Sequence, residues 1–366
     1  MKKVLVAMSG GVDSSVVAYL LEKEGYDVTG VFCHFWSEKE CEGKKSENTC
    51  CSVEAEKLAC KVCQELDIPF YSVDVSKKFK KHVVDYFVSS YENGETPNPC
   101  VVCNDTIKFA HLIDLAQKKG YDYLATGHYV QNQKVGETFF LKKGIDATKD
   151  QSYFLYTLTQ EILSKTLFPL GTLTKKEVRA IAKKIDLPTA TRRESQEVCF
   201  VSKKRLEGFL KRHMKKWNEG DIVDQNGAVI GTHKGLPFYT LGQRRNIGVG
   251  GTGPYYVFKR DFKTNTLFVT NDSKDPALYS TSFTVRDVNW LGELPSFPFE
   301  CKGKVRYRKK AVPLEIVSFE NGIMTVGCSD SERAIMPGQS VVFYDSDTVL
   351  GGGVIHPEST SESGPG

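Results

Sequence analysis

The sequence predicts an α/β protein: an N-terminal doubly wound parallel sheet, followed by a small β-rich central domain and a C-terminal β-barrel. Three observations carry that expectation. Up to about residue 125, short apolar runs alternate with amphipathic stretches, as in a parallel sheet covered by helices on both faces. From about residue 220 the pattern becomes short alternating strands, with Asn226-Gly227 and Asn321-Gly322 between apolar runs as hairpin signals. The length, 366 residues, suits two or three domains at roughly 150 residues each.

Each element has a local reason. Residues 4–8 are an uninterrupted apolar run, the mark of a strand buried on both faces. Residues 13–24 gather Val16, Val17, Leu20 and Leu21 on one helical face, and Gly25 stops the helix. A strand at 28–32, a helix at 52–66 and a strand at 70–75 follow. Helices are expected at about 78–91 and 106–119, then a strand at 123–125 ending in Thr126-Gly127-His128. A helical stretch is expected from about 160 to 213. Strands at 255–258, 266–269, 283–285, 312–316 and 341–344 have small-barrel spacing. The expected domains are 1–205, 206–276 and 277–356, with a Ser-, Glu-, Gly- and Pro-rich tail at 357–366 expected to be disordered.

Composition narrows the class. With 40% hydrophobic and 26% charged residues, a wholly disordered chain, a collagen and a coiled coil are excluded. Eleven cysteines, an odd number in a long chain, exclude a small disulfide-stapled secreted fold. The first apolar run is too short for a signal-peptide core, and no run of about 18 apolar residues exists. A cytoplasmic protein with reduced thiols, no transit peptide and no membrane partner is expected.

Three segments carry chemistry. Ser9-Gly10-Gly11-Val12-Asp13-Ser14-Ser15 follows a strand and opens a helix. Its glycines allow close backbone approach, the helix N-terminus offers N–H groups and positive potential, and the serines add donors. That makes an anion cradle suited to pyrophosphate. In Thr96-Pro97-Asn98-Pro99-Cys100-Val101-Val102-Cys103-Asn104, two prolines fix a rigid approach and a helix is expected from about Asn104. Cys103 then lies near a helix N-terminus, which favours thiolate. The Cys100/Cys103 spacing suits a metal, a cluster or a redox pair, or simply two buried thiols. Glu194-Ser195-Gln196-Glu197-Val198-Cys199-Phe200 sits after Arg192 and Arg193, which favour thiolate at Cys199; burial between Val198 and Phe200 is the plainer reading.

The first segment resembles the loop of the ATP pyrophosphatases, which implies an adenine-nucleotide α-hydrolase-like fold, ATP and Mg²⁺, with Asp13 on the metal side of the pyrophosphate. The other segments together are similar to the tRNA-specific 2-thiouridylase family. So are Ile107-Lys108-Phe109, Thr126-Gly127-His128-Tyr129, Lys149-Asp150-Gln151-Ser152, Gly231-Thr232-His233-Lys234-Gly235, Tyr239-Thr240-Leu241-Gly242-Gln243-Arg244, Pro337-Gly338-Gln339-Ser340 and Leu350-Gly351-Gly352-Gly353. The resemblance runs to about Ile355. It implies adenylation of O2 of the wobble uridine of tRNA, then sulfur delivery from a persulfide on Cys199. Cys103 would resolve it, leaving a Cys103–Cys199 disulfide. It implies ATP contacts at Ala7, Met8, Ser9, Gly10, Gly11, Val12, Asp13, Ser14, Cys33 and Gly127. It places Asn98, Pro99 and Cys100 near the target base. Lys149, Asp150, Gln151, Arg306 and Tyr307 are implied tRNA contacts, with His128 and Gln339 aiding recognition. A monomer served by a sulfur-carrier or persulfide-donor protein is expected.

One departure matters. The best-known members carry Asp where this chain has Cys100, a carboxylate proposed there as a base or an iron–sulfur ligand. A thiol cannot replace a carboxylate base at comparable pKa, but it can replace a ligand. Cys100, Cys103 and Cys199 as ligands of a [4Fe–4S] cluster is therefore the alternative expectation. Of the crowded Cys41, Cys50, Cys51, Cys60 and Cys63, burial is favoured over a zinc site using Cys50 or Cys51. Basic residues cluster at Lys203-Lys204-Arg205, Lys211-Arg212, Lys215-Lys216, Arg244-Arg245 and from Lys302 to Lys310, where Tyr307 can stack on bases, as Trp217 can. An amidating synthetase would need an ammonia source and has no use for Cys103 and Cys199. A non-catalytic tRNA-binding or thiol-metal module has no use for the pyrophosphate loop.

Overall fold

The computed structural model describes residues 1–37, 52–192, 198–201, 205–250 and 253–356. Cys41, Cys50, Cys51, Arg193, residues 194–197, Lys203, Lys204 and the tail at 357–366 lie outside the described residues. The chain forms two compact units. The first is Met1–Asp85, Pro99–Leu206 and Ser346–Leu350; the second is Tyr86–Asn98, Glu207–Asp345 and the chain from Gly351 on.

Along the first unit run β1 (Lys3–Met8), α1 (Val12–Lys23), β2 (Asp27–His34), α2 (Val53–Glu65), β3 (Phe70–Asp74) and α3 (Ser76–Phe79). α4 (Asp85–Glu92) passes into the second unit. α5 (Pro99–Cys103) continues through π-turns at Asn104–His111 into α6 (Leu112–Lys118). Then come β4 (Tyr123–Ala125), β5 (Val130–Val135), β6 (Thr138–Lys143), α7 (Gln160–Ser164), β7 (Thr166–Leu167) and α8 (Lys175–Lys184). β1, β2, β3, β4 and β7 form a five-stranded parallel sheet in the order β3-β2-β1-β4-β7. Alternate residues of β1 explain its two-sided burial. Val4, Val6 and Met8 share a core with Val16, Val17, Leu21, Val62 and Val178, while Leu5 meets Val31 and Ala116 on the other face. Each fully buried valine there contributes roughly 1.5–3 kcal/mol relative to exposure.

Two expectations are corrected here. The helix expected from about 106 begins at Pro99, where a missing N–H costs nothing because first-turn donors have no intrahelical partner. The stretch from 160 to 213 is not one helical run. Thr166-Leu167 pairs with β4, and Gly171 lies against the Val130 carbonyl where no side chain fits. The polar β5–β6 hairpin, turning at Gly136 with φ +59°, had no apolar alternation to announce it.

The second unit contains α9 (Leu206–His213), which begins at the boundary, and β8 (Gly220–Val223), β9 (Val229–His233), β10 (Tyr256–Asp261) and β11 (Thr266–Thr270). These strands form a four-stranded sheet, β10-β11-β8-β9, in which β11 and β8 are parallel. β12 (Tyr279–Trp290), β13 (Phe299–Lys304), β14 (Val312–Glu320), β15 (Ile323–Arg333), β16 (Ser340–Asp345) and β17 (Thr348–His356) follow in the order β12-β15-β14-β13-β16-β17; β17 begins in the first unit, where Thr348 pairs with Lys142 of β6. β17 pairs back to β12 and closes the antiparallel barrel, which removes exposed edges. Phe283, Val285, Ile316, Met324, Val326 and Phe343 are buried core side chains of its strands. Both predicted hairpin signals are turns. Asn321 and Gly322 have φ +52° and +78°, the pair of positive values a two-residue hairpin needs.

Candidate active site

β1 ends at Met8 and the chain turns through Ser9-Gly10-Gly11 into α1. Gly10 has φ +69° and lies against the Ala55 carbonyl, so a side chain is excluded twice over. Gly11 is the extended N-cap of α1 and supplies no capping side chain. The first-turn N–H groups are therefore left for an anion, with the positive end of the helix dipole behind them. The inner serines brace the loop. Ser14 Oγ and Ser15 Oγ donate to Gly11 O at 3.2 and 2.9 Å, and Ser14 Oγ accepts from Ser9 N at 3.1 Å. Ser9 remains the exposed hydroxyl of the loop.

Asp13 stands in the first turn of α1, half-buried. Lys175 Nζ donates to both its oxygens at 2.6 and 2.7 Å, and Tyr129 OH donates to Oδ1 at 2.7 Å. Lys175 is positioned by the start of α8, where Thr174 and Glu177 form a reciprocal capping box and Asp146 accepts from Lys175 N. Arg192 donates through Nη1 to Gly10 O, and Arg179 holds the carbonyls of Ala190 and Arg192 at 3.1 and 3.3 Å. Sequence reasoning missed Lys175 and Arg179, and it gave Tyr129, part of the Thr126–Tyr129 motif, no role of its own. The signal for Lys175 was the Thr174-x-x-Glu177 box, which fixes it at a helix start; its reach to Asp13 is a tertiary fact.

β4 ends at the same edge. Gly127 lies against the first turn of α1; a Cβ there would sit 3.1 Å from Asp13 Cβ and 3.2 Å from Ser14 N. His128 is buried, with Nδ1 2.8 Å from Thr126 Oγ1 and its ring beside Phe109 and Phe168. Burial first, and then the charge of Lys108, hold its pKa well below the usual histidine value, so the ring is neutral. At the end of β2, burial pushes the Cys33 thiol up to about 12, with Cys103 adding to the rise. Cys33 thus remains an S–H at neutral pH, near Cys103.

The cysteine segments are placed as follows. Cys100 and Cys103 lie i, i+3 on α5, hence on one face. Cys103 is buried and lies past the first turn, so the helix-terminus argument for its thiolate is corrected: Cys100 is the residue in the first turn. Cys199 is half-buried in a tight turn, where Val201 N donates to Val198 O; Phe200 is buried edge-on against Phe79. Among the described residues, no three His, Cys, Asp or Glu side chains are grouped to hold a metal ion. The ligand trio Cys100, Cys103 and Cys199 is therefore not gathered here, although two of its members share a helix face.

The expected tRNA residues divide. Asp150 is buried, and its carboxylate accepts from Gly144 N, Ser152 N and Ser152 Oγ, so it shapes its own loop. Gln151 Oε1 accepts from Tyr129 N at 3.0 Å, joining that loop to the tyrosine on Asp13. Lys149 is half-buried. In the second unit, Arg306 donates to the carbonyls of Arg333 and Ala334, and Tyr307 is half-buried beside it in sequence. Gln339 Nε2 donates to Thr96 O and Pro97 O at 2.8 and 3.2 Å. Asn98 closes the segment Tyr86–Asn98 of that unit, and Pro99 begins α5 in the first.

A parallel sheet whose first strand runs through two glycines into an uncapped helix N-terminus, with an aspartate in the first turn, defines an adenine-nucleotide-binding α/β protein of the PP-loop type. Family models match in series: a tRNA methyl transferase HUP domain over residues 2–203, a tRNA methyl transferase PRC-barrel domain over 207–271 and an aminomethyltransferase β-barrel domain over 280–355. A tRNA-specific 2-thiouridylase MnmA 2 of Thermoanaerobacter sp. (strain X514) is 44% identical over 358 residues, covering 96% of this chain and 97% of that protein. The tRNA-specific 2-thiouridylases MnmA of Geotalea uraniireducens and Halalkalibacterium halodurans are 43% and 42% identical, covering 97% and 96% of this chain and 95% and 94% of theirs. The chain belongs to the tRNA-specific 2-thiouridylase family, within the PP-loop superfamily. Membership implies ATP, and Mg²⁺ as its counter-ion. The residues fit: Asp13 offers a hard carboxylate beside the anion cradle, the donor set Mg²⁺ takes together with phosphate oxygens. Among the described residues, no helix is long and apolar enough to cross a membrane.

Proposed function

We propose that the protein catalyses ATP-dependent 2-thiolation of the wobble uridine of tRNA. One observation carries the reading: an uncapped pyrophosphate loop with Asp13 lies in the same compact unit as Cys103 and Cys199. The loop amides of Gly10 to Ser14 and the start of α1 hold the phosphates. Lys175 offsets the charge of Asp13 and is placed to meet phosphate oxygens as they arrive. Mg²⁺, when bound, would neutralise the leaving pyrophosphate. Uridine O2 attacks the α-phosphorus, pyrophosphate leaves, and C2 becomes electrophilic. The terminal sulfur of a Cys199 persulfide attacks C2. The Cys103 thiolate then attacks Cys199 Sγ, the S–S bond breaks, and AMP departs with the old O2. A Cys103–Cys199 disulfide remains, and an external thiol must reduce it before the next turn.

In this reading residues 1–205 are the catalytic domain, and 206–276 and 277–356 present the RNA-facing surfaces. Asn98, Pro99 and Cys100 lie against the extruded base, and Lys149, Arg306 and Tyr307 serve the tRNA. Gln151, His128 and Gln339 act through the loops they hold. Neutral His128 suits an uncharged partner. A persulfide-donor protein charges Cys199, and the enzyme works as a cytoplasmic monomer. The cluster-based alternative draws no support from the arrangement of its three thiols. The test is nucleoside mass analysis of tRNA from cells lacking the gene, with purified protein, ATP and a persulfide donor in parallel. Loss of 2-thiouridine and its restoration by wild type but not Cys199→Ser is expected. Unchanged 2-thiouridine defeats the proposal. Anaerobic iron and sulfide analysis beside Cys100→Asp separates the cluster route.

A further inference from the structure

Loop carbonyls ordinarily face water. In the second unit, the carbonyls of Gly94, Thr96 and Pro97 and the Glu95 carboxylate are instead taken by side chains far along the chain, while Gly94 N and Glu95 N bond back to Tyr91 O and Ser90 O of α4. Arg260 of β10 donates through Nη2 to Gly94 O at 2.5 Å and through Nη1 to Tyr239 O at 2.8 Å. Arg286 of β12 donates through Nη2 to both oxygens of Glu95 at 2.7 and 2.8 Å, and the two side chains are only 33% and 15% exposed. Gln339, in the turn before β16, holds Thr96 O and Pro97 O at 2.8 and 3.2 Å, and Thr96 N donates to Pro337 O at 2.8 Å. Gly338, with φ +87°, makes room: a Cβ there would lie 2.7 Å from Glu95 Cβ and 2.9 Å from Thr96 N.

This fixation is unusual in kind. Burial pulls the Arg260 pKa down to about 10, yet its guanidinium is aimed at two carbonyls. Desolvating a guanidinium is costly, and what it secures is the placement of Gly94 together with Tyr239. The rings of Pro97, at the last anchor, and Pro99, two residues on, each fix a φ angle. The chain therefore leaves the clamp in one register and enters Asn98-Pro99-Cys100 directly.

We infer that Arg260, Arg286 and Gln339 are positioning residues that set the register in which Asn98, Pro99 and Cys100 meet the target uridine. The inference rests on the thiolation reading above. Positioning differs from RNA binding in its kinetic signature. A misplaced segment slows the reaction of bound tRNA, whereas a lost phosphate contact weakens tRNA binding. It differs from a purely structural role because kcat falls while nucleotide binding without tRNA and KM for tRNA hold, whereas a damaged fold lowers all three together.

The experiment uses the full chain, ATP, a persulfide donor and unmodified tRNA, and measures steady-state thiolation for wild type, Glu95→Gln, Arg286→Gln and the double swap Glu95→Arg/Arg286→Glu. Single-variant kcat should fall about 10- to 100-fold, with KM for tRNA changed less than about threefold. Nucleotide binding without tRNA should be unchanged, and the swap should recover most of kcat. Arg286→Lys, which keeps the charge, should retain more activity than Arg286→Gln and covers the case in which the latter does not fold. A rise in KM with kcat intact overturns the inference, as does wild-type kcat in a folded Glu95→Gln. If wild type itself makes no 2-thiouridine, the thiolation reading fails instead.

Discussion

The pyrophosphate loop and the segment that leads into Asn98-Pro99-Cys100 are both short, glycine-punctuated turns, and they differ in how much of their anchoring is distant. Ser9–Gly11 is tied chiefly to Ser14 and Ser15, its own next helical turn, with Arg192 as a distant brace. Residues 94–97 keep two local bonds, Gly94 N to Tyr91 O and Glu95 N to Ser90 O, and are otherwise tied to partners 166, 191 and 243 residues away. A turn held locally forms wherever its sequence occurs. A turn whose carbonyls and carboxylate are held from afar is fully fixed only when the rest of its unit is built. The first suits a nucleotide site, whose chemistry is the same for many substrates. The second suits a place where one nucleotide must be met in one register.

The comparison breaks most visibly at Asp13. Asp13→Asn keeps the shape but removes the carboxylate charge from the cradle, and leaves Lys175 buried without its ion pair. Thiolation should fall by roughly 10²–10³-fold, the scale of losing one well-aimed electrostatic group. Affinity for tRNA, measured by filter binding, should hold. If tRNA affinity falls as steeply, the two regions are not separable and the division above is wrong.

Next in size is a matched pair of glycines. Gly10 and Gly94 have φ +69° and +76°, so alanine is strained at both. At Gly10 the new methyl meets a backbone carbonyl, Ala55 O, which cannot turn aside. At Gly94 it meets the Phe262 ring at 2.5 Å, and that ring is 46% exposed and able to swing away. In urea melts Gly10→Ala should cost about 2–3 kcal/mol and Gly94→Ala about 1 kcal/mol. Adding Phe262→Ala should ease only the second. Equal costs would mean that local and distant anchoring resist strain alike.

The same contrast explains what was legible in the sequence. The parallel sheet, the loop after β1 and both Asn-Gly hairpins were readable because apolar period, helix starts and positive φ are written within a few residues. The helix at Pro99 was read too late, since proline at a helix start looks like a breaker until the following turns are seen. The helix end expected at Cys103 therefore belongs to Cys100. Asp150 is an expected RNA contact, and that its buried carboxylate bonds Gly144 and Ser152 is a fact of its folded loop that the local sequence does not show. Lys175 on Asp13, and Arg260 and Arg286 on residues 94 and 95, were illegible, because a side chain reaching across more than a hundred residues leaves no local pattern.

The smallest expected effect compares one histidine from each unit. His128 and His233 are both buried, and burial lowers both pKa values. His128 sits beside the Phe109 and Phe168 rings, and the charge of Lys108 depresses it further. His233 Nε2 donates to Asn265 O at 3.0 Å, and that bond, with Asp221 and Glu219, offsets part of the burial. A histidine whose folded pKa is depressed lends stability that is full above its unfolded value, near 6.5, and lost as pH falls toward the folded one. His128→Gln and His233→Gln each remove one such group, so each should narrow the loss of urea stability between pH 7.5 and pH 5.5. His128→Gln should narrow it more, since protonation is opposed there with less offset. The other lowered histidine, His111, is present in both variants and cancels. If His233→Gln narrows the loss as much as His128→Gln, the hydrogen bond to Asn265 does not offset burial as the geometry indicates, and the two units are equally acid-sensitive at their buried histidines.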